Sequence, residues 1–312
     1  MLISVIIPSF NEEAVVNESY RRLKNVFIDN NLLDYELIFV NDGSKDKTLE
    51  VLMDIASKDA HVKILNFSRN FGHQAAVTAG MQECKGEVAI IIDCDLQDPP
   101  EVIIDMLKVY HDEECNVVYG VRKSRKGESF FKKFTAKLFY RTLNSLSDVS
   151  FPVDTGDFRL VDRKVINVFN NLHEKNKYIR GLISWMGFKQ CPVYYEREAR
   201  FAGETKYPLS KMIKFASIGL FYFSKKPLKL ATSVGFTSIA AGLIYILFLL
   251  INQIFGVGHT VSGWTSTIII IIFFGGVQLL TIGVLGQYIG SLFDEVKNRP
   301  EYIISDKINF KE

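Results

Sequence analysis

No Asp, Glu, Lys or Arg occurs between Leu230 and Phe293, in a chain of 312 residues that is charged throughout its preceding part. One bilayer crossing needs about 20 apolar residues, so this stretch is too long for one and has room for two joined by a turn. The spans are expected over 230–255 and 264–293, and the break at 256–263, rich in Gly and polar residues, suits a hairpin loop outside the hydrocarbon. A buried core hairpin is disfavoured, because globular cores seldom need two such uninterrupted apolar runs. Excess charge of one sign is also missing: 37 Lys and Arg face 35 Asp and Glu, which gives a nucleic-acid partner no support. The four cysteines form no CxxC pair and lie in the charged part, where a reducing cytosol disfavours disulfides; they receive no function. The five histidines show no HExxH or HxxxH spacing, which argues against a zinc site. The N-terminus has no basic leader, and its apolar run stops at Pro8, too early for a signal peptide, so it reads as a first strand.

The flanks of the spans set an orientation. Lys225, Lys226 and Lys229 precede the first span and Lys297 and Arg299 follow the second, while the connecting loop carries no Lys or Arg. Both ends are therefore expected on the cytoplasmic side of a multi-pass protein of the cell membrane.

Up to residue 122, short β-branched runs alternate with helical patterns, the signature of βαβ units around a mainly parallel sheet. Strands are expected at 3–8, 35–40, 62–67, 88–92 and 116–121. Val16, Tyr20, Leu23 and Phe27 recur at helical spacing after the first strand, and Leu49, Leu52, Met53 and Ala56 are expected on one face after the second. In an open α/β sheet ligands bind beyond the carboxyl ends of the strands. Those ends are polar here: Pro8 to Glu13, Asn41 to Ser44, Ser68-Arg69-Asn70, Asp93 to Asp98, and Arg122. Two later segments are amphipathic and basic, Glu128 to Leu146 with Lys133, Lys137 and Arg141, and Pro208 to Lys226. Helices of this composition can lie in a membrane interface.

Asp93-Cys94-Asp95 is the most informative constellation. On an extended chain, alternate residues put both carboxylates on one side, and two hard oxygen donors suit Mg²⁺ or Mn²⁺, which can neutralise a diphosphate. Asp42, in the turn Asn41-Asp42-Gly43-Ser44, can accept a hydrogen bond from the imide of a uracil or guanine base. Arg200 and Lys206 flank the flexible Gly203 and can clamp phosphate oxygens, one as a fork and one as a point charge.

These segments carry a family resemblance over nearly the whole chain. Val5 to Glu13, Val40 to Ser44, Ser68 to Gly72, Asp93 to Pro99, Gly156-Asp157-Phe158-Arg159-Leu160, Arg200 to Tyr207, and the tail from Gly275 to Pro300 resemble family 2 glycosyltransferases of the polyprenyl-phosphate branch. That branch includes dolichol-phosphate mannose synthases and, nearer in motif form, bacterial bactoprenol glucosyltransferases. Gly156-Asp157-Phe158-Arg159 looks like the bacterial glucosyltransferase form of a loop, and Thr205 stands where Ser is familiar, keeping the hydroxyl.

The resemblance implies an α/β GT-A domain over 1–207, an amphipathic juxtamembrane helix over 208–229, the two spans, and a cytoplasmic tail over 294–312. It implies inverting transfer of a sugar, glucose from UDP-glucose first, from a nucleotide-diphosphate donor to polyprenyl phosphate. Pro8, Asn11, Glu12, Asp42 and Arg69 then belong to nucleotide binding, and Asp93, Asp95 and Gln97 to the metal and diphosphate. Arg122, Lys133, Arg200 and Lys206 are assigned to the lipid phosphate, and Asp93, Asp95, Asp157 and Arg200 to catalysis. An acceptor phosphate is already an anion and needs no strong base, so Asp157 is expected to hold a sugar hydroxyl or orient the acceptor. Related enzymes use N-acetylglucosamine, galactose, mannose or modified arabinose with similar motifs. A homo-tetramer is a further expectation, with the strand-like Tyr302-Ile303-Ile304 reaching a neighbouring protomer. A non-catalytic scaffold is disfavoured by the complete carboxylate set, and a processive polysaccharide synthase by the absence of Arg before either Trp185 or Trp264.

Overall fold

The computed structural model describes residues 1–123, 155–175, 177–198, 226–255 and 263–310. Two compact units result: the described residues up to Glu198 together with the tail from Arg299, and a helical unit ending at Asn298.

The first unit is built on an eight-stranded sheet in the order β7-β5-β6-β4-β1-β2-β3-β8. Its strands are β1 (Ile3–Ser9), β2 (Tyr35–Asn41), β3 (Val62–Phe67), β4 (Val88–Ile91), β5 (Val117–Arg122), β6 (Thr155–Asp162), β7 (Gln190–Tyr195) and β8 (Ile304–Ile308). β1 to β4 run parallel, β7 runs parallel to β5, and β6 is antiparallel to both β4 and β5. The helices of this unit are α1 (Val16–Asp29), α2 (Thr48–Lys58), α3 (His73–Glu83), α4 (Val102–Asp112), α5 (Arg163–Asn170) and α6 (Ile179–Trp185). β1 and β2 are buried along their whole length, as central strands of a sheet covered on both faces are, and are apolar apart from Ser4, Ser9, Glu36 and Asn41.

Side-chain alternation divides the sheet between its two faces. Ile3, Val5 and Ile7 join Leu23, Phe27, Leu52, Met106, Phe158 and Leu160 in one core. Helix α3 covers the opposite face and consists largely of small buried residues, Ala75, Ala76, Ala79 and Gly80. A Cβ at Gly80 would overlap Ile6 Cγ2, so glycine there permits the close approach of α3 to β1.

Several expectations are corrected. Residues Gly156 to Leu160 form part of β6 and not a loop: Phe158 and Leu160 are buried among core side chains, and the strand fills the slot between β4 and β5. The tail strand pairs antiparallel with β3 of its own chain, Ile64 opposite Ile308, so it completes this sheet rather than a neighbour's. On α2 the buried set is Thr48, Leu52, Ile55 and Ala56, whereas Met53 is exposed, because it lies about 100° around the helix from Leu52, outside the apolar stripe that Ile55 completes. Cys115, just before β5, and Cys191, in the adjacent parallel strand β7, are joined as a disulfide with Cα atoms 6.2 Å apart. Cys84 and Cys94 are free and buried.

The second unit contains α7 (Lys226–Ile254) and α8 (Trp264–Val296), each holding a stretch long and apolar enough to cross a membrane. α7 begins before Leu230, because Lys226 and Lys229 favour rather than interrupt a helix. The half-buried positions of α8, among them Phe274, Val277, Thr281, Val284, Tyr288 and Ser291, recur every three or four residues, and Phe274 meets α7 at Gly242. Leu243, Leu247 and Ile251 on α7 and Leu279, Leu285 and Leu292 on α8 are exposed.

Candidate active site

The carboxyl ends of β1 to β5 and β7 share one edge of the sheet, and strand order reverses between β1 and β4, which opens a crevice there. β6 runs the other way and delivers its amino end to the same edge. Arg159 pairs with Ile91, so Asp157, two residues earlier, projects beyond the end of β4 toward Asp93.

Three elements converge on Asp157. Arg180, in the first turn of α6, donates from Nε to Oδ1 at 2.6 Å and from an Nη to Oδ2 at 3.1 Å. His73, the first residue of α3, places Nε2 3.1 Å from Oδ2 and Nδ1 3.7 Å from Asp93 Oδ1. Burial alone would raise the Asp157 carboxyl, but Arg180 and His73 outweigh it and hold the group well below its ordinary range. Burial also works against a charged His73, yet Asp93 and Asp157 lift it to about 9. Asp93 is pushed up to about 6 by burial and by Asp157, Asp95 and Asp98, against the opposing charge of His73. Asp157 is therefore a clamped carboxylate with little affinity for a proton, which suits charge placement and not proton abstraction.

The turn after β4 is strained at its centre. Leu96 is 2% exposed and sits at φ 58, a conformation costly for a bulky side chain. It lets the Gln97 backbone N–H donate to Asp95 Oδ1 at 3.1 Å, while the Gln97 carbonyl accepts from Glu198 at 2.9 Å. Cys94 points away into the core, and burial pushes its thiol up to about 12, so it stays protonated. Asp98, 1% exposed, accepts from the Tyr195 hydroxyl at 2.5 Å and pairs with Arg122 and Arg197 at 3.5 Å each. Arg122 is thereby held over Gly156, where a Cβ would come within 2.7 Å of its guanidinium.

No three His, Cys, Asp or Glu side chains gather into a metal cage among the described residues. Two carboxylates and a carboxamide at Asp93, Asp95 and Gln97 are nevertheless an all-oxygen set. Mg²⁺ and Mn²⁺ sites of this kind use one or two protein carboxylates and complete their shells with water and substrate phosphate, so the donors present fit such an ion.

The ends of β1 to β3 form the neighbouring wall. Asn11, at φ 54, donates its backbone N–H to Ser44 Oγ at 2.9 Å and accepts from Lys45 at 2.8 Å; Glu12 donates to Thr48 Oγ1 at 2.8 Å. Asp42, 4% exposed, accepts from the backbone of Phe71 at 2.7 Å and of Gly72 at 3.0 Å, and burial raises its carboxyl against those bonds. Arg69 lies 3.9 Å over the Phe71 ring.

The sequence pattern described as Glycosyl transferase family 2 matches residues 4–169, which span the carboxyl ends of β1 to β5 and the whole of β6 but not β7. The chain belongs to that family. This family 2 glycosyltransferase is 51% identical to the uncharacterized glycosyltransferase YkcC of Bacillus subtilis over 301 residues, 96% of this chain and 92% of that protein. It is 37% identical to the bactoprenol glucosyl transferase of Shigella phage SfII over 304 residues, 97% of each chain. Among solved structures it is similar to glucosyl-3-phosphoglycerate synthase from Mycobacterium tuberculosis in complex with Mn²⁺, UDP-glucose and phosphoglyceric acid, at 20% identity, TM-score 0.48, covering 70% of this chain and 77% of that one.

Of the residues expected in the site, this glycosyltransferase brings Pro8, Asn11, Glu12, Asp42, Arg69, Asp93, Asp95, Gln97, Arg122 and Asp157 to one sheet edge. Lys133, Arg200 and Lys206 lie outside the described residues. Sequence reasoning missed His73, Arg180, Asp98 and Tyr195. His73 directly follows the motif ending at Gly72 and carried a signal in that adjacency; Arg180 carried none, because its role depends on where α6 is packed.

Proposed function

We propose that this glycosyltransferase moves glucose from UDP-glucose to the phosphate of a polyprenyl lipid, with inversion at the sugar, at the cytoplasmic face of a membrane. The observation that carries the reading is the near full-length similarity to bactoprenol glucosyl transferases, in a chain whose two apolar helices follow a crevice lined by Asp93, Asp95 and Asp157. The exposed leucines of α7 and α8 match a lipid-facing surface, and the basic flanks support a cytoplasmic position for both ends of the hairpin.

The wall at Pro8, Asn11, Glu12, Asp42 and Arg69 takes the nucleoside. Asp93, Asp95 and Gln97 would hold Mg²⁺ or Mn²⁺, whose charge would neutralise the departing diphosphate. A phosphate oxygen of the acceptor attacks the anomeric carbon, the bond from that carbon to the diphosphate oxygen breaks, and its electron pair leaves with UDP. Arg122, held by Asp98, faces the acceptor phosphate, and Lys133, Arg200 and Lys206 complete its binding. Asp157, fixed by Arg180 and His73, orients the sugar, so catalysis rests on positioning and charge.

The test is transfer of radiolabel from UDP-glucose to undecaprenyl phosphate by the purified full chain in detergent, with and without Mg²⁺ or Mn²⁺. Metal-dependent labelled lipid supports the reading. Label only from UDP-N-acetylglucosamine, UDP-galactose, GDP-mannose or a modified UDP-arabinose would replace the donor, and no label from any of them would sink the proposal.

A further inference from the structure

The chain leaving α8 returns to the first unit through Arg299-Pro300-Glu301-Tyr302-Ile303 before entering β8. Glu301 turns inward there. Its Oε2 stands 3.7 Å from Lys177 Nζ, and the two side chains are only 15% and 5% exposed. Thr78 of α3 approaches the other carboxylate oxygen at 3.5 Å, and Lys177 also lies 5.2 Å over the Phe169 ring. Two residues beyond Lys177, the Ile179 N–H donates to Gln74 Oε1 at 3.0 Å, and the next side chain is the Arg180 that grips Asp157. Gln74 is adjacent to His73, the second group on Asp157, and its carbonyl accepts from Thr78 at 2.8 Å.

The same strap also holds the far side of α3. Tyr302 stacks on Phe67 at 5.0 Å and hydrogen-bonds Gln82, while the Ile303 carbonyl accepts from Ser68 at 3.1 Å. The first turn of α3, the first turn of α6 and the strap thus share one set of contacts, and both cations on Asp157 stand on it.

We infer that Glu301 and Lys177 are positioning residues for glycosyl transfer, tying the chain that follows α8 to the two turns that present His73 and Arg180 to Asp157. A buried ion pair gives little net stability, since desolvation consumes most of the attraction, and an apolar pair would fill the space as well. What a charged pair adds is direction, because Lys177 and Thr78 each come within 3.7 Å of the Glu301 carboxylate in one register of the three segments, and a shift would leave a buried charge unpaired. Errors near 1 Å in the placement of catalytic groups cost about a hundredfold in rate, so register matters at this distance from the chemistry.

The inference rests on the reading of the Asp157 crevice as the transfer site, and its test has one readout that does not. In the purified full chain, Glu301→Gln and Lys177→Met should each lower kcat about tenfold or more, with donor KM changed less than about threefold. Glu301→Asp keeps the charge and shortens the reach, and should fall between them and the unsubstituted chain. Hydrogen exchange should speed up in peptides covering 73–83 and 177–185 while staying unchanged in those covering 16–29. Unchanged exchange in the two named peptides would overturn the inference whether or not the protein uses UDP-glucose. So would full kcat in all three folded variants of a chain that does. A chain that transfers nothing would count against the proposed function alone.

Discussion

Asp157 and Arg180 meet in a two-point contact, 2.6 and 3.1 Å, between the amino end of an antiparallel strand and the first turn of a short helix. The fork needs a planar guanidinium. Arg180→Lys keeps the charge but reaches only one oxygen, so it should leave Asp157 ionised and less firmly oriented, held by His73 and a single contact from position 180. The expected outcome is a kcat about ten- to a hundredfold lower with the fold intact, measured by single-turnover transfer and by thermal unfolding. Equal rates for the two proteins would show that the fork does not set the reaction geometry.

Asp95→Asn keeps the shape of the turn after β4, including an acceptor for the Gln97 N–H, and removes one charge from the proposed metal set. UDP affinity should then lose most of its dependence on Mg²⁺ or Mn²⁺, read by calorimetric titration, and kcat should fall about a hundredfold or more. A variant whose UDP affinity still responds to metal as strongly as the unsubstituted chain would remove Asp95 from that set.

The contrast between those two residues explains how far the sequence could be read. Asp95 follows a β-branched run ending at Ile92, and an acidic pair after such a strand in a βαβ pattern already predicts a ligand edge. The strands at β1 to β5 were legible for the same reason, their apolar runs being bounded by polar turns. β6 was not, because Thr155–Asp162 carries Asp, Arg and Asp among its apolar residues and becomes a strand only by filling the slot between β4 and β5. Arg180 and the Glu301–Lys177 pair depend on contacts between segments far apart in the chain, and no local period encodes those.

Gly43 stands at φ 63, and a Cβ there would overlap the backbone of Arg69 and come within 2.6 Å of the Asn70 nitrogen. Gly43→Ala combines a left-handed backbone, which costs an L residue about 1–2 kcal/mol, with a clash against main chain that cannot rotate away. The turn after β2 must separate from the loop that Asp42 caps through Phe71 and Gly72. A loss of about 2 kcal/mol or more is expected, seen as a lower denaturation midpoint, together with weaker UDP binding. An unchanged midpoint would mean that the two loops separate at no cost.

Glu301 supplies the pH dependence. Burial raises its carboxyl from 4.5 to about 7, with Lys177, Thr78 and Lys175 opposing the rise. As pH increases through this window the unfolded chain gives up the proton first, while the folded chain still holds it. The unfolded state therefore binds fewer protons, and stability contributed at this site falls as pH rises from about 4.5 to 7. Glu301→Gln has no proton to lose. Its denaturation midpoint should drop less than that of the unsubstituted chain between about pH 5 and pH 8, a difference on the order of 2 kcal/mol. Parallel midpoint curves for the two proteins would place the carboxyl near its ordinary range. A smaller drop in the variant, accompanied by the loss of kcat expected above, would separate the two properties of this pair: its ionised form weakens the fold and orders the site.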